Sequence, residues 1–186
     1  MIDPVADAPD DLWVFGYGSL MWRPGFDHDE RRVAHLSGLH RSLCIYSHVH
    51  RGTPDRPGLV LGLDRGGACK GIAYRVPAKL RRETVQYLRA REQVTSVYVE
   101  IVIPVRLDDG RRVDAVAYRV DRRHGQYAGR LSVDRVVDLV LQGVGVSGAN
   151  PDYVIATTEH LRLLGIHDRF LEAVMARLAD RTTAPA

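Results

Sequence analysis

The chain has 186 residues, 45% of them apolar and 26% charged, with a formal net charge of +3. That length and balance suit one substantial core and exclude a disordered or fibrous chain. Only Lys70 and Lys79 among the 26 basic residues are lysine, and the arginines are interleaved with nearly as many acids, without a run of five like charges, which argues against nucleic acid as a partner.

Residues 1–11 carry Asp3, Asp7, Asp10 and Asp11 with Pro4 and Pro9, the opposite of a basic, then apolar, signal peptide; they read as an acidic tail. A single domain is expected over 12–180, with 181–186 as a C-terminal tail. No apolar run approaches the ~18 residues that cross a bilayer, so no membrane partner is expected. Cys44 and Cys69 belong to no CxxC or Cys/His spacing, which points to reduced thiols and a cytoplasmic location.

In chain order, Leu12–Phe15 reads as a buried strand that breaks into the loop Gly16-Tyr17-Gly18. Arg41–Ser47 and Leu59–Leu63 read as short strands around the proline- and glycine-rich loop 51–58, and Cys69–Val76 as another. From Pro77 to Glu92 the apolar period turns helical. Tyr98–Leu107 and Arg111–Val120 are expected to pair antiparallel across the hairpin signal Asp109-Gly110. Ser132 caps a helix reaching Val144; Asn150-Pro151-Asp152 reads as the N-cap and first turn of a helix that stops at Gly165, and a last amphipathic helix carries Phe170, Leu171, Val174, Met175 and Leu178. The order predicts an α+β fold: a mostly antiparallel, barrel-like sheet with flanking helices.

Two segments carry candidate chemistry. Val85, Leu88 and Glu92 lie at i, i+3 and i+7, so Glu92 continues an apolar stripe at the end of its helix. There burial and the negative end of the helix dipole both disfavour the charged form and raise its proton affinity. The competing readings are an exposed, frayed helix end, or a glutamate paired with Arg89 or Arg91 as ordinary surface decoration. The second segment is Val14-Phe15-Gly16-Tyr17-Gly18-Ser19-Leu20, whose glycines allow close backbone approach to an anionic ligand; a plain glycine turn is the alternative.

Other motifs carry less. Gly143-Val144-Gly145-Val146-Ser147-Gly148 matches GxGxxG, but the residues after it read as two helices without a second strand; it is read as a flexible interhelical connection. His48 and His50 lack a third-ligand spacing for zinc, and neither G-x-S-x-G nor an activated cysteine is present, so no metal and no nucleophilic side chain are assigned.

Taken as an ordered set, several blocks resemble the ChaC-type γ-glutamylcyclotransferases: Val14 to Trp22, His50-Arg51-Gly52-Thr53-Pro54 with Pro57-Gly58, Gly71 to Val76, Tyr87 to Thr95 with Tyr98, and Ser147 to Tyr153. They span about residues 12 to 165. Val146 departs from the family, which usually has proline there. The resemblance implies a barrel-like cyclotransferase fold, glutathione as a small-molecule substrate, 5-oxoproline and Cys-Gly as products, and no cofactor. By position, Glu92 resembles the catalytic glutamate, Val14, Phe15, Gly16, Tyr17, Gly18, Ser19 and Leu20 the substrate-binding loop, and Tyr127 a tyrosine that follows the hairpin in relatives. Other γ-glutamyl amines as substrates, or a non-catalytic γ-glutamyl-ligand binding module, are the alternatives.

Overall fold

The computed structural model describes residues 3–93 and 95–183. The chain divides into two compact units, Met1–Arg41 with Leu63–Asp121, and Ser42–Gly62 with Arg122–Ala186.

Five strands close into a barrel: β1 (Leu12–Gly16), β2 (Glu30–Ser47), β3 (Gly58–Val76), β4 (Tyr98–Leu107) and β5 (Arg112–Val120), in the order β1-β3-β2-β4-β5. The β1–β3, β2–β4 and β4–β5 pairings are antiparallel, and the parallel β1–β5 pair, Trp13 against Ala115 and Val14 against Val116, closes the ring. Closure removes the free strand edges that an open sheet would expose. The mostly antiparallel, barrel-like α+β architecture expected from the sequence is present. β4 and β5 meet at the expected turn, where Gly110 takes φ +91° and Asp109 Oδ1 accepts the Arg111 N–H at 3.0 Å.

Two strands are longer than the sequence pattern suggests. β2 starts at Glu30 instead of Arg41, because Ala34 and Leu36 are buried among exposed polar neighbours and Gly38, at φ +89°, adjusts the strand without ending it. The segments Leu59–Leu63 and Cys69–Val76 are one strand, β3. The exposed stretch Arg65–Ala68 that separates them contains Gly66 and Gly67 at positive φ and still continues the ladder.

Helix α1 (Arg81–Glu92) follows Pro77 and a single 3₁₀ turn, Ala78–Leu80. Its Val85 and Leu88 are fully buried and pack with Leu12, Val14, Leu20, Val76, Val116 and Tyr118. The helix is thereby fastened to one side of the barrel. Burying two such side chains contributes ~1.5–3 kcal/mol each.

In the second unit are α2 (Val133–Gln142), the two-residue strands β6 (Val144–Gly145) and β7 (Gly148–Ala149), α3 (Asn150–Leu163) and α4 (Arg169–Thr183). Ser132 Oγ accepts the Arg135 N–H at 3.3 Å, as a cap should. Asn150, expected to cap α3, does not: Ala149 holds the cap position. The fully buried Asn150 amide instead accepts from Leu59 N at 2.6 Å and donates to Leu59 O at 2.8 Å, satisfying both backbone groups of a buried strand residue. The 143–148 segment is likewise a paired hairpin, β6 against β7, and not a flexible connection. Its glycines permit close approach: a Cβ on Gly143 would stand 2.5 Å from Arg51 O, and one on Gly145 2.3 Å from Val49 O. Residues 181–183, read as the start of a tail, are the end of α4; residues 184–186 lie outside the described residues.

Candidate active site

Glu92 is the last residue of α1. The stripe that buries Val85 and Leu88 brings the next position on that face to the barrel side, so the Glu92 side chain keeps only 18% of its accessible surface. Burial pushes its proton affinity above the ordinary glutamate range, and the Arg91 charge opposes that in part. The exposed, frayed helix end considered from sequence is absent; the expected pairing with Arg91 is real, at 3.2 Å from Arg91 Nε to Glu92 Oε1.

Arg91 joins this carboxyl to the glycine segment. Its Nη2 donates to Ser19 Oγ at 2.9 Å, while Nη1 donates to Arg23 O at 2.7 Å, Pro24 O at 3.3 Å and Tyr87 Oη at 2.9 Å. One planar guanidinium thus touches the helix end, its preceding turn and the 19–24 stretch, a geometry that the fixed fork of arginine suits and lysine does not.

The 14–20 segment divides in two. Val14 and Phe15 are fully buried, and their backbones, with that of Gly16, pair with Tyr74, Ala73 and Ile72 of β3. Gly16 is closely packed: a Cβ there would meet Leu20 Cβ at 3.0 Å, and a Cβ on Gly71 would stand 2.3 Å from Gly16 O. Leu20 is a core residue within the 3₁₀ turn Ser19–Met21. Tyr17, Gly18 and Ser19 are therefore the part of the segment that follows the ladder. Gly18 sits at φ −131°, ψ −133°, and Tyr17 O accepts from Arg41 Nε at 2.5 Å. Arg41 is itself 7% exposed and also donates to Lys70 O at 2.8 Å, so a buried guanidinium underpins the loop.

Below Glu92, the Tyr118 phenol is buried and donates to Glu100 Oε2 at 2.9 Å. Burial, followed by the charges of Glu100 and Glu92, drives the phenol well above the normal tyrosine range, so it stays protonated. Glu100 is clasped by Arg89, with Nε to Oε2 at 2.9 Å and Nη2 to Oε1 at 2.6 Å. Arg41, Arg89, Glu100 and Tyr118 were not among the sequence candidates. The strand pattern places them on β-strands or a helix turn but carries no sign that they converge.

Tyr127 belongs to the second unit. It forms an isolated antiparallel bridge with Ile45, and Arg122 lies over its ring at 5.8 Å. In the same unit the His48 ring stacks on Tyr46 and His50 Nδ1 lies 3.0 Å from Ser147 Oγ. No group of three potential metal ligands occurs among the described residues.

The closed barrel thus carries a largely buried, proton-avid carboxyl at the end of a packed helix, tied by an arginine to the residues that follow a glycine loop. Comparison with known proteins gives the family. The family model described as ChaC-like protein matches residues 12–181, so the chain belongs to the ChaC-like family. It is 35% identical over 166 residues to the glutathione-specific gamma-glutamylcyclotransferase of Escherichia coli (strain K12), covering 88% of this chain and 72% of that protein. It is 32% identical over 173 residues to glutathione-specific gamma-glutamylcyclotransferase 1 of Mus musculus, covering 90% and 78%. Among solved structures, the yeast γ-glutamyl cyclotransferase specific to glutathione superposes with a TM-score of 0.80 at 22% identity, over 92% of this chain and 99% of that one. The last likeness speaks to the fold. Val94, in the matched block after Glu92, lies outside the described residues.

Proposed function

We propose that this protein is a glutathione-specific γ-glutamylcyclotransferase that releases 5-oxoproline and Cys-Gly, with Glu92 as the proton-transfer group. The relatives carry that activity in their names, and the observation that carries the residue assignment is the position of Glu92: on a core stripe, with raised proton affinity, one guanidinium away from Ser19.

The chemistry asks little else of the protein. The α-nitrogen of the γ-glutamyl group attacks its own γ-carbonyl carbon, the new C–N bond closes a five-membered lactam, and the bond to the cysteine nitrogen breaks. Across the reaction the attacking ammonium gives up two protons and the departing nitrogen gains two. A carboxyl that accepts and returns them one at a time ends as it began. Such a group works best when its proton affinity is drawn toward neutrality, which burial provides at Glu92. Holding the substrate folded back supplies much of the acceleration, since intramolecular reactions reach effective molarities of ~10⁵ M or more. Tyr17, Gly18 and Ser19 are assigned to grip the γ-glutamyl part, with Arg41 fixing the loop from beneath. Each backbone donor aimed at a developing oxyanion contributes ~2.7–4 kcal/mol. Tyr127 is assigned to substrate binding on the family resemblance alone.

Cytoplasmic location is supported by Cys44 and Cys69, both buried and neither in a disulfide among the described residues. The test is incubation of the EDTA-treated full chain with glutathione, with both products followed by mass spectrometry. Equimolar 5-oxoproline and Cys-Gly are expected, with much slower turnover of γ-Glu-Ala. Tight glutathione binding without 5-oxoproline would instead mark a binding module.

A further inference from the structure

The acidic residues before β1 look like a tail in the sequence, yet they are bonded to both ends of α1. Asp3 caps the turn that follows it, its Oδ1 accepting from Val5 N at 3.0 Å and Ala6 N at 3.1 Å, and its own N–H donates to Asp7 Oδ2 at 2.9 Å. This small folded unit buries Ala6 in the same cluster as Val85 and Leu88, with Val5 packed against it. At the start of the helix, Arg81 Nε donates to Val5 O at 2.5 Å and Nη1 to Asp10 O at 2.9 Å. Arg82 Nη2 pairs with Asp7 Oδ1 at 2.5 Å, and Asp11 Oδ1 accepts the Ala78 N–H at 2.9 Å.

The far end of the helix is where Glu92 lies, and there Arg89 is held from two sides. Both of its Nη atoms bond the Asp3 carboxylate, while Nε and Nη2 grip Glu100 of β4. Arg89 is one turn before Glu92, and its carbonyl accepts the capping N–H of Gln93 at 3.0 Å. Helix ends fray first, because their last carbonyls lack intrahelical partners. Here the final turn is tied on one side to the barrel and on the other to the N-terminal segment. The hydrogen bond from Arg89, helped by that from the Ala6 N–H, draws the Asp3 carboxyl far below its usual range, so the clamp stays charged at every physiological pH.

We propose that residues 3–11 are a strap that holds the last turn of α1 in register on the barrel, with Asp3 and Arg89 as positioning residues for the Glu92 carboxyl. This rests on the reading of Glu92 as the proton-transfer group. A strap that served folding alone would affect stability and leave turnover by the folded enzyme unchanged; a positioning strap changes kcat at constant KM.

The test uses the full chain as wild type, Asp3→Asn and Asp3→Glu, each shown to be folded at the assay temperature by circular dichroism. Hydrogen exchange is followed at the amides of residues 89–93 and, as a reference, at β5, together with steady-state turnover of glutathione. Asp3→Asn is expected to speed exchange at the helix end about tenfold without changing β5. It is also expected to lower kcat about fivefold with KM unchanged, because misplacing a reacting group by a fraction of an ångström is costly. Asp3→Glu, which keeps the charge, should recover most of both effects. Exchange within about twofold of wild type overturns the strap, and faster exchange with unchanged kcat overturns its role in placing Glu92. If wild type makes no 5-oxoproline while Asp3→Asn still loosens the helix end, the strap stands and the assigned reaction fails.

Discussion

Glu30 and Glu92 retain the same side-chain exposure, 18%, yet their proton affinities move in opposite directions. Glu30, at the start of β2, is bonded by Arg111 and by Arg32 Nε at 2.9 Å, with Arg75 Nε at 3.5 Å; the Arg111 bond, then the Arg32 bond, holds it below the ordinary carboxylate range. Glu92 has one guanidinium contact at 3.2 Å and the apolar side of α1 around it, and burial prevails. Residual surface area therefore does not decide how a carboxyl behaves. The depth of apolar burial around it, set against the donors that stabilise its anion, does. Glu30 is surrounded by arginine and belongs to an ion network, whereas among the described residues Glu92 has the Arg91 guanidinium beside it, and burial holds its proton more tightly.

The contrast is most sharply tested by replacing each carboxyl with its amide. Glu92→Gln keeps the shape but removes the exchangeable proton, and turnover of glutathione should fall by about 10²–10⁴-fold, the usual contribution of a general acid–base group. Glutathione binding, measured by calorimetry, should be nearly unchanged. Glu30→Gln should leave kcat and KM as they are. A comparable loss of activity in both variants would erase the distinction.

Arg91→Met comes next in size. The proton affinity of Glu92 is set by burial, which raises it, and by the Arg91 charge beside it, which lowers it. Without the guanidinium, the proton affinity of Glu92 rises further, and the Ser19 and Pro24 contacts are lost. The acid limb of the kcat/KM profile should move to higher pH, and activity near neutrality should drop about tenfold, equivalent to ~1.4 kcal/mol. Arg91→Lys should restore the position of the limb better than the rate, because the charge returns but the fork does not.

Stability gives a smaller, oppositely signed pair of effects. The folded protein holds the Glu92 proton more tightly than the unfolded chain does, so its contribution to stability is fully present below the unfolded-state value and is lost as pH rises through the folded one. At pH 7 wild type thus carries a cost that Glu92→Gln relieves, and the variant should melt higher, by about 2–4 °C for each kcal/mol relieved. The gap should close in acid. Glu30 runs the other way: its lowered value contributes stability above the ordinary carboxylate range that disappears as pH falls. Glu30→Gln should therefore melt slightly below wild type at pH 7 and equal it at low pH. This is the smallest effect, since the arginines that pair with Glu30 are largely exposed and solvent screens their charges. Thermal scans of all three proteins across pH 3–8 check both signs.

Much of this site was legible before any coordinates. The i, i+3, i+7 spacing of Val85, Leu88 and Glu92 places a carboxyl on a buried face, and the glycines at 16 and 18 mark where β1 gives way to a loop. Local rules suffice for such features because they act within a few residues along one element. The β4–β5 hairpin was legible for the same reason. By contrast, Asn150 has every local mark of a helix cap and serves a strand ninety-one residues away instead. The glycines of 143–148 imitate a nucleotide motif while making room for the backbone of residues 49–51.

What the sequence determined by itself is which residue types stand on which face: an acid on an apolar stripe, glycines at a strand end, a turn between two β-branched runs. What tertiary structure alone decided is which distant charges meet. Arg91 reaches Ser19 and Pro24, Arg41 reaches Tyr17, and Arg89 joins Asp3 to Glu100, so that a segment resembling a loose acidic tail becomes part of the framework around Glu92. The physical reason is that secondary structure is governed by short-range sterics and periodicity. The fate of a charge depends on every donor and every apolar group that folding brings near it.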